Sequence, residues 1–241
     1  ERMRIDASGY FLVGHTASEA MYYTGLIQVQ GTNSTTSAIT IKTNQADSGG
    51  PALVLGKSRG ALGSATVVQS GDSLGHIFFN GADGTDTVSY GAEIRCQVDG
   101  TPGSNDMPGR LTFFTTADGA ATATERLRIS STGVSKFTGG ISQAATAMGA
   151  LDLDLRTSNY FTKTISGNST FTFSNPAASG TVTAFTLELT HSSGTVTWPS
   201  SVKWNADTAP TLTTGKTHLF MFVTDDGGTR YRGSALVDYV N

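Results

Sequence analysis

Glu125-Arg126-Leu127-Arg128-Ile129-Ser130-Ser131-Thr132-Gly133 is a second copy of the nine residues that open the chain, Glu1-Arg2-Met3-Arg4-Ile5-Asp6-Ala7-Ser8-Gly9. Both copies alternate charged residues with Met, Leu or Ile and then reach a polar turn that a glycine closes. This alternation is typical of a short strand that leads into a hairpin. The repeat therefore predicts a β-structured module that occurs twice, and we interpret each copy as the closing strand of its module.

The composition of the whole chain favours the same kind of structure. The 241 residues include 29 glycines, 6 prolines and 37% hydrophobic residues, and no stretch keeps an apolar period of 3.6 residues. Glycine supplies the positive φ angles of tight turns, and the abundant threonine suits a pleated, half-exposed surface. We therefore expect an all-β protein of many short strands, with a core that is thin for a chain of this length.

The first domain is predicted over residues 1–140, as a β-rich module bounded by the repeat. Its strands are expected where apolar and polar residues alternate between turn sequences such as Gly81-Ala82-Asp83-Gly84. Between the two copies of the repeat, the predicted strands are 10–13, 26–29, 38–42, 52–55, 77–80, 92–98 and 110–115.

A second domain is predicted after Gly139-Gly140. Residues 141–149 are interpreted as a linker, because they lack an apolar face. Beyond them, strict alternation of apolar and polar residues marks the segments 151–155, 170–173, 181–190, 218–224 and 230–240. One face of each such strand has to be buried while the other is hydrated. We therefore predict a compact antiparallel β-sandwich over residues 150–241.

Charge and hydropathy exclude several partners. The formal net charge is −3 and Lys and Arg are scattered, so nucleic acid is not an expected partner. The longest purely apolar run, 219–223, is too short to span a bilayer, and we expect no membrane insertion. The single cysteine, Cys96, cannot form an intrachain disulfide and is interpreted as a packed thiol. Because the sequence begins at Glu1 without an initiator methionine, we expect it to be a fragment of a longer protein.

Three short sequences imitate catalytic motifs without the residues that would support catalysis. Asp47-Ser48-Gly49-Gly50-Pro51 resembles the nucleophile loop of chymotrypsin-like proteases, but the upstream His15 lacks the context of a catalytic base. Gly71-Asp72-Ser73-Leu74 lacks the downstream Asp-x-x-His of the esterases that share this string, and Gly56-Lys57-Ser58 lacks the upstream glycine of a phosphate-binding loop. We therefore predict no catalytic residue, no enzyme activity and no cofactor.

Acidic turns offer oxygen ligands for a hard cation such as calcium. They lie at Asp83, Asp86, Asp99, Asp106 and Asp118. None of them fits the loop of an EF-hand, and an isolated Asp-Gly turn usually serves only to bend the chain. We predict no metal site.

Two groups of sequence strings carry a family resemblance. The first comprises Ser70-Gly71-Asp72-Ser73-Leu74-Gly75, Gly81-Ala82-Asp83-Gly84, Asp99-Gly100-Thr101-Pro102-Gly103, Met107-Pro108-Gly109-Arg110-Leu111, Thr116-Ala117-Asp118-Gly119 and Glu125-Arg126-Leu127-Arg128-Ile129. The second comprises Val196-Thr197-Trp198-Pro199, Val202-Lys203-Trp204, Ala209-Pro210-Thr211-Leu212 and Asp225-Asp226-Gly227-Gly228. Together they resemble bacteriophage tail-fibre proteins of the kind common among marine phages, in their distal segments and C-terminal modules. The resemblance covers residues 70–133 and 150–241, and the segment 10–69 departs from it.

This resemblance implies an intertwined homotrimer, in which a fibre-type module is followed by a tip domain that meets the bacterial host. The implied partners are copies of the chain itself, other virion tail proteins and a bacterial surface polysaccharide or lipopolysaccharide. The implied location is the tail fibre of the virion, which acts outside the cell after assembly in the host cytoplasm. Two alternatives stay open: a tailspike-like enzyme that degrades polysaccharide, and a purely structural virion fibre.

If the second domain is a fibre tip, two of its sequences carry side chains that suit a glycan. Trp204-Asn205-Ala206-Asp207 places an indole beside two hydrogen-bonding side chains, and Arg230-Tyr231-Arg232 flanks an aromatic ring with two donors. The candidate ligand-binding residues are Trp204, Asn205, Asp207, Arg230, Tyr231 and Arg232. For Trp204 the alternative is packing at the end of the core, with Trp198 inside that core.

Overall fold

The structure, a computed structural model, describes residues 1–240. Its regular structure is almost entirely β, and the helical element in that range is a single 3-10 turn at Asn205–Asp207. The chain divides into two compact units, the first covering Glu1–Gly140 and the second beginning at Ile141. Among the described residues, no helix has the length and apolar character needed to cross a membrane. The all-β prediction is confirmed.

The first unit opens with a three-stranded sheet. Strands β1 (Met3–Ile5) and β2 (Phe11–Val13) form an antiparallel hairpin, and β3 (Ile27–Val29) pairs with β2 in parallel. Leu12, on the middle strand, is fully buried. The large apolar side chains Met3, Ile5 and Ile27 on its edge strands stay exposed.

A five-stranded antiparallel meander completes the regular structure of the first unit. Its strands are β4 (Ser73–Asn80), β5 (Tyr90–Val98), β6 (Gly109–Thr116), β7 (Ala123–Ile129) and β8 (Ser135–Phe137). On one face the buried carboxylate of Glu93 is hydrogen-bonded to Nδ1 of His76 and accepts two hydrogen bonds from Arg95. The guanidinium of Arg95 lies over the ring of Phe114, 4.6 Å from its centroid. The buried charge on this face is therefore fully partnered.

The two copies of the sequence repeat fold into the same hairpin. Met3 of β1 is opposite Val13 of β2, and Leu127 of β7 is opposite Phe137 of β8, so the register is identical. Both turns are closed by a glycine at positive φ, 84° in the first copy and 79° in the second. The repeat therefore specifies one supersecondary unit that is placed in two different sheets.

Two strands that the alternation predicts, at 38–42 and 52–55, are absent from the structure. No strand lies between Val29 and Ser73, and apolar side chains there are largely exposed, for example Ile39 and Val54. A strand needs a neighbour that accepts its backbone hydrogen bonds. The local pattern is that of a strand, but the chain offers these segments no partner.

The second unit is built around one six-stranded sheet with two small two-stranded pairs beside it. Its strands are β9 (Thr146–Ala147), β10 (Asp152–Asp154), β11 (Tyr160–Ser166), β12 (Ser169–Thr170), β13 (Thr172–Ser174), β14 (Thr183–Ser193), β15 (Val196–Thr197), β16 (Val202–Trp204), β17 (Lys216–Thr224) and β18 (Tyr231–Tyr239). The order in the large sheet is β16-β18-β17-β14-β11-β9, and the small pairs are β10-β13 and β12-β15.

The strand directions correct the prediction of an antiparallel sandwich. The pairs β14-β17 and β17-β18 are antiparallel, but β9-β11, β11-β14 and β16-β18 are parallel, as are both small pairs. Parallel neighbours require a crossover connection, and the chain makes one between β11 and β14 through β12 and β13. Alternation within a strand specifies its faces and not its direction. The segment 141–149, expected to be a linker, contributes β9 to the edge of the large sheet.

The second unit has a continuous apolar core. Twelve buried side chains form one cluster: Leu153, Leu155, Phe161, Ile165, Phe171, Phe185, Leu187, Leu189, Val202, Phe220, Phe222 and Tyr231. They come from alternate positions of the large sheet and from the small pairs that cover its inner face. The opposite face of the large sheet, its outer face, therefore remains available for contacts.

Candidate functional site

Two of the predicted glycan-binding residues have packed side chains. The ring of Trp204 lies against Trp198 and Phe222, with centroids 5.4 and 5.7 Å apart. Tyr231 is 2% exposed and its ring lies edge-on to Phe173 at 5.0 Å. Burial raises the pKa of the Tyr231 hydroxyl. Both rings stabilise the core, and the ring of Tyr231 has no face left for a ligand.

Asn205 and Asp207 lie in the 3-10 turn that follows β16. Both side chains are exposed, and Asp207 has a positive φ of 55°. The backbone carbonyl of Asn205 accepts a hydrogen bond from the N–H of Thr208, 3.3 Å away, which closes the turn. The two polar side chains are accessible to a ligand.

Arg230 and Arg232 belong to a charged network at the turn between β17 and β18. Nη2 of Arg230 is 3.6 Å from a carboxylate oxygen of Asp225 and of Asp226, and Nη1 of Arg232 is 3.4 Å from Asp225. A hydrogen bond from the backbone N–H of Arg230 is the main cause that lowers the pKa of Asp226. Both arginines stay largely exposed, and the carboxylate of Asp225 is shared by their two guanidinium groups.

Arg232 also borders a hollow on the outer face of the six-stranded sheet. We call this hollow, of about 460 Å³, the outer groove. Its lining includes Asn159, Ala184, Thr186, Met221, Arg232 and Ser234. Its volume lies in the range of about 300 to 1,000 Å³ that is usual for ligand sites.

Register places four side chains of different chemistry in one row beside this groove. Tyr160 pairs with Thr186, Thr186 with Met221, and Met221 with Ser234, so the row crosses β11, β14, β17 and β18. Directly opposed residues of neighbouring strands point to the same face. The row therefore presents a ring, a thioether and two hydroxyls on the outer face.

Tyr160 is fixed at one end of the row by Glu188. Its hydroxyl donates a hydrogen bond to the carboxylate of Glu188 over 2.6 Å. This bond is the main cause that raises the pKa of the Tyr160 hydroxyl, and burial adds to it. The carboxylate keeps further acceptor positions, so the ring and an acceptor are held side by side.

A second hollow, of about 510 Å³, adjoins the outer groove and shares Asn159 and Ala184 with it. It extends past Asn175 to Arg156, which pairs with Asp154 at 2.9 Å. The guanidinium of Arg156 lowers the pKa of Asp154 well below its usual range. The second hollow is therefore continuous in its lining with the outer groove.

Of the side chains that line the outer groove, Arg232 is the one that the sequence singles out as a candidate for glycan binding. Thr186, Met221 and Ser234 occupy the hydrated positions of alternating strands, which a search for aromatic residues in loops passes over. One feature of the sequence does indicate this surface. Met221 is an apolar residue at a position of β17 where the alternation predicts a polar, hydrated side chain. Within residues 1–240, no group of three or more His, Cys, Asp or Glu is placed to hold a metal ion.

No protein-family model and no curated protein matches the sequence. Among solved structures, the chain is similar to the carboxy-terminal domain of the bacteriophage T5 L-shaped tail fibre, with a TM-score of 0.46 and 15% identity over 60% of this chain and 62% of that one. It is also similar to the same domain with its intramolecular chaperone domain, with a TM-score of 0.46 and 13% identity over 60% of this chain and 42% of that one. The chain thus spans less than two thirds of either structure.

Proposed function

We propose that this chain is part of a phage tail fibre that attaches the virion to its bacterial host, and that the outer groove binds a glycan of the host surface. The observation that carries the proposal is the row Tyr160, Thr186, Met221 and Ser234, of which the last three line a hollow of about 460 Å³ together with Arg232. As part of the same proposal, the fibre is a homotrimer and works outside the cell together with other virion tail proteins.

A sugar presents two kinds of surface, and the groove together with the row beside it has groups for both. Its C–H faces are apolar and pack on an aromatic ring or a polarisable thioether, which Tyr160 and Met221 supply. Its hydroxyls both donate and accept hydrogen bonds, which suits the hydroxyls of Thr186 and Ser234. The mixture of apolar floor and few polar groups is typical of small-ligand sites.

The charged groups around the groove favour particular sugars. Arg232 donates in a planar fork, which suits a carboxylate or phosphate substituent as well as a pair of hydroxyls. Glu188, beside Tyr160, accepts from hydroxyls of a neutral unit. The proposed ligand is therefore a surface polysaccharide or lipopolysaccharide in which an acidic unit is followed by a neutral one.

Binding to an array of bacterial surface polysaccharides tests the proposal. We expect Arg232→Ala and Tyr160→Ala to weaken binding of whichever polysaccharide the wild type retains, with unchanged melting for the exposed Arg232. Arg126→Ala is the matched control, because it removes the same charge from an exposed arginine of the first unit. Full binding by both groove variants would overturn the proposed site, and release of new reducing ends by the wild type would assign polysaccharide cleavage instead.

A further inference from the structure

The five-stranded sheet of the first unit has one face that is apolar across its whole width. Its pairing places a row of large apolar residues directly opposite one another on β4 to β8: Ile77, Ile94, Phe113, Leu127 and Phe137. A second row beside it contains Cys96, Leu111 and Ile129. We call these two rows the apolar face. The reverse face carries the charged row that begins with His76 and Arg95.

The first unit supplies little to cover the apolar face. Phe137 is 55% exposed, Ile77 44% and Leu111 38%. Leu55, from the segment without strands, lies over Gly75 at one margin and leaves a hollow of about 240 Å³ between itself and the sheet. A sheet with one apolar face needs a second layer, and residues 1–140 do not provide one.

The accessible surface of the chain is larger than its mass warrants. The structure exposes 15,501 Å², whereas a compact monomer of 25.1 kDa exposes about 10,300 Å² and two separate units of half that mass about 12,400 Å². The excess over even the second figure is about 3,000 Å². A stable interface of standard size needs only about 800 Å² from each partner.

We propose that the apolar face is the contact surface between copies of this chain, so that the sheets of neighbouring copies cover one another. The inference rests on the self-association in the proposed function and names the surface that carries it. The two rows contain no charged side chain, so they suit a partner that is equally apolar. An uncovered apolar face needs a partner as soon as the chain is synthesised. Other copies of the same chain are present at that moment and can supply the matching face.

The single thiol reports directly on this surface. Cys96 lies in the second row and is partly exposed in one copy of the chain. We expect Cys96 of the native wild-type chain to resist a maleimide reagent and to react once urea unfolds the protein. Because the chain has no other cysteine, the label needs no further assignment. Rapid labelling of a native assembly would place the contact elsewhere and overturn the inference.

A pair of matched substitutions gives a second, independent measurement. Leu111→Asp puts a charge in the middle of the apolar face, and Leu62→Asp makes the same change at a fully exposed leucine outside it. Light scattering should give a multiple of 25.1 kDa for the wild type and for Leu62→Asp, and a loss of that assembly for Leu111→Asp. Should Leu111→Asp fail to fold, maleimide labelling of the wild type still tests whether the apolar face is covered.

The outcomes separate this inference from the proposed function. An assembly that survives Leu111→Asp, with Cys96 reactive, contradicts the apolar face as the contact and leaves the fibre proposal standing. A wild-type chain that is monomeric contradicts both the contact and the homotrimer. Loss of assembly in Leu111→Asp with no glycan bound by any form supports the contact and contradicts the groove.

Discussion

The six-stranded sheet of the second unit is covered by its own chain, whereas the five-stranded sheet of the first unit is not. Twelve apolar side chains form one buried cluster in the second unit. In the first unit the buried apolar side chains among the described residues are Leu12, Val68 and Val98. Both units use alternating strands, so alternation alone does not decide whether a unit is stable by itself. The deciding feature is what lies opposite the apolar face.

This difference predicts two modes of stability. The second unit should unfold in a transition that does not depend on protein concentration, because its core is intramolecular. The first unit should gain stability with concentration, because association covers its sheet.

The largest effect is expected from the core of the second unit. Phe220 is fully buried and its ring centroid is 4.6 Å from that of Trp198. Phe220→Ala should lower the free energy of unfolding by about 3 to 5 kcal/mol through lost burial and a cavity. Urea denaturation followed by tryptophan fluorescence measures it, since both tryptophans, Trp198 and Trp204, lie in this unit.

The neighbouring Met221 is the control for that measurement. It points to the outer face and is 41% exposed, so Met221→Ala should cost less than about 1 kcal/mol. If Phe220→Ala and Met221→Ala lowered the free energy of unfolding equally, the inner face of the sheet would not be more buried than the outer face.

In the first unit the largest single loss is expected at Glu93. Its side chain is fully buried between Arg95 and His76. Glu93→Gln removes the charge and leaves a guanidinium without its counter-ion, which should cost about 3 kcal/mol. Glu125→Gln, which breaks the more exposed pair with Arg128, should cost less than about 1 kcal/mol. Hydrogen exchange at the amides of β5 measures both, and a reversed ranking would contradict the buried network.

The same carboxyl predicts acid sensitivity of the first unit. Burial raises the pKa of Glu93, but hydrogen bonds from Arg95 and His76 outweigh burial, so its pKa is lower than the usual value. A group with a lowered pKa in the folded state stabilises the fold above its unfolded pKa, about 4.3 for Glu, and loses that contribution as the pH falls through the folded pKa. Protection of β5 should therefore decline in acid, and Glu93→Gln should flatten that decline. A slope unchanged by the substitution would assign the acid sensitivity to other carboxylates.

The sequence predicted the strands well and their neighbours poorly. Strands at 92–98, 110–115 and 218–224 occur within a few residues of the predicted bounds, because period-two alternation is a local signal. The segments 38–42 and 52–55 carry the same signal without forming strands. Their alternation is real, but a ladder depends on a partner that one copy of the chain does not contain.

The candidate site shows the same limit. Arg232 could be found from the sequence because charge flanking an aromatic residue is visible in the chain order. Tyr160, Thr186 and Met221 could not be grouped, because their proximity depends on the parallel pairing of β11 with β14. Crossover connections fix that pairing, and alternation gives no information about them. Tyr231 is the opposite case. Its neighbours in the sequence, Arg230 and Arg232, are exposed, whereas its own ring packs into the core.

Smaller effects than those of Phe220→Ala and Glu93→Gln are expected at the glycines that close the two repeated hairpins. Gly9 and Gly133 have positive φ values of 84° and 79°, and a Cβ at either position would meet no atom within 4 Å. Alanine at either site should therefore cost only the backbone strain, about 1 kcal/mol. The two hairpins differ in context, because β7 also pairs with β6 whereas β1 has no second partner in its sheet. Local opening measured by hydrogen exchange should rise equally in the two variants, and a larger rise for Gly133→Ala would mean that strain in the turn spreads into the five-stranded sheet.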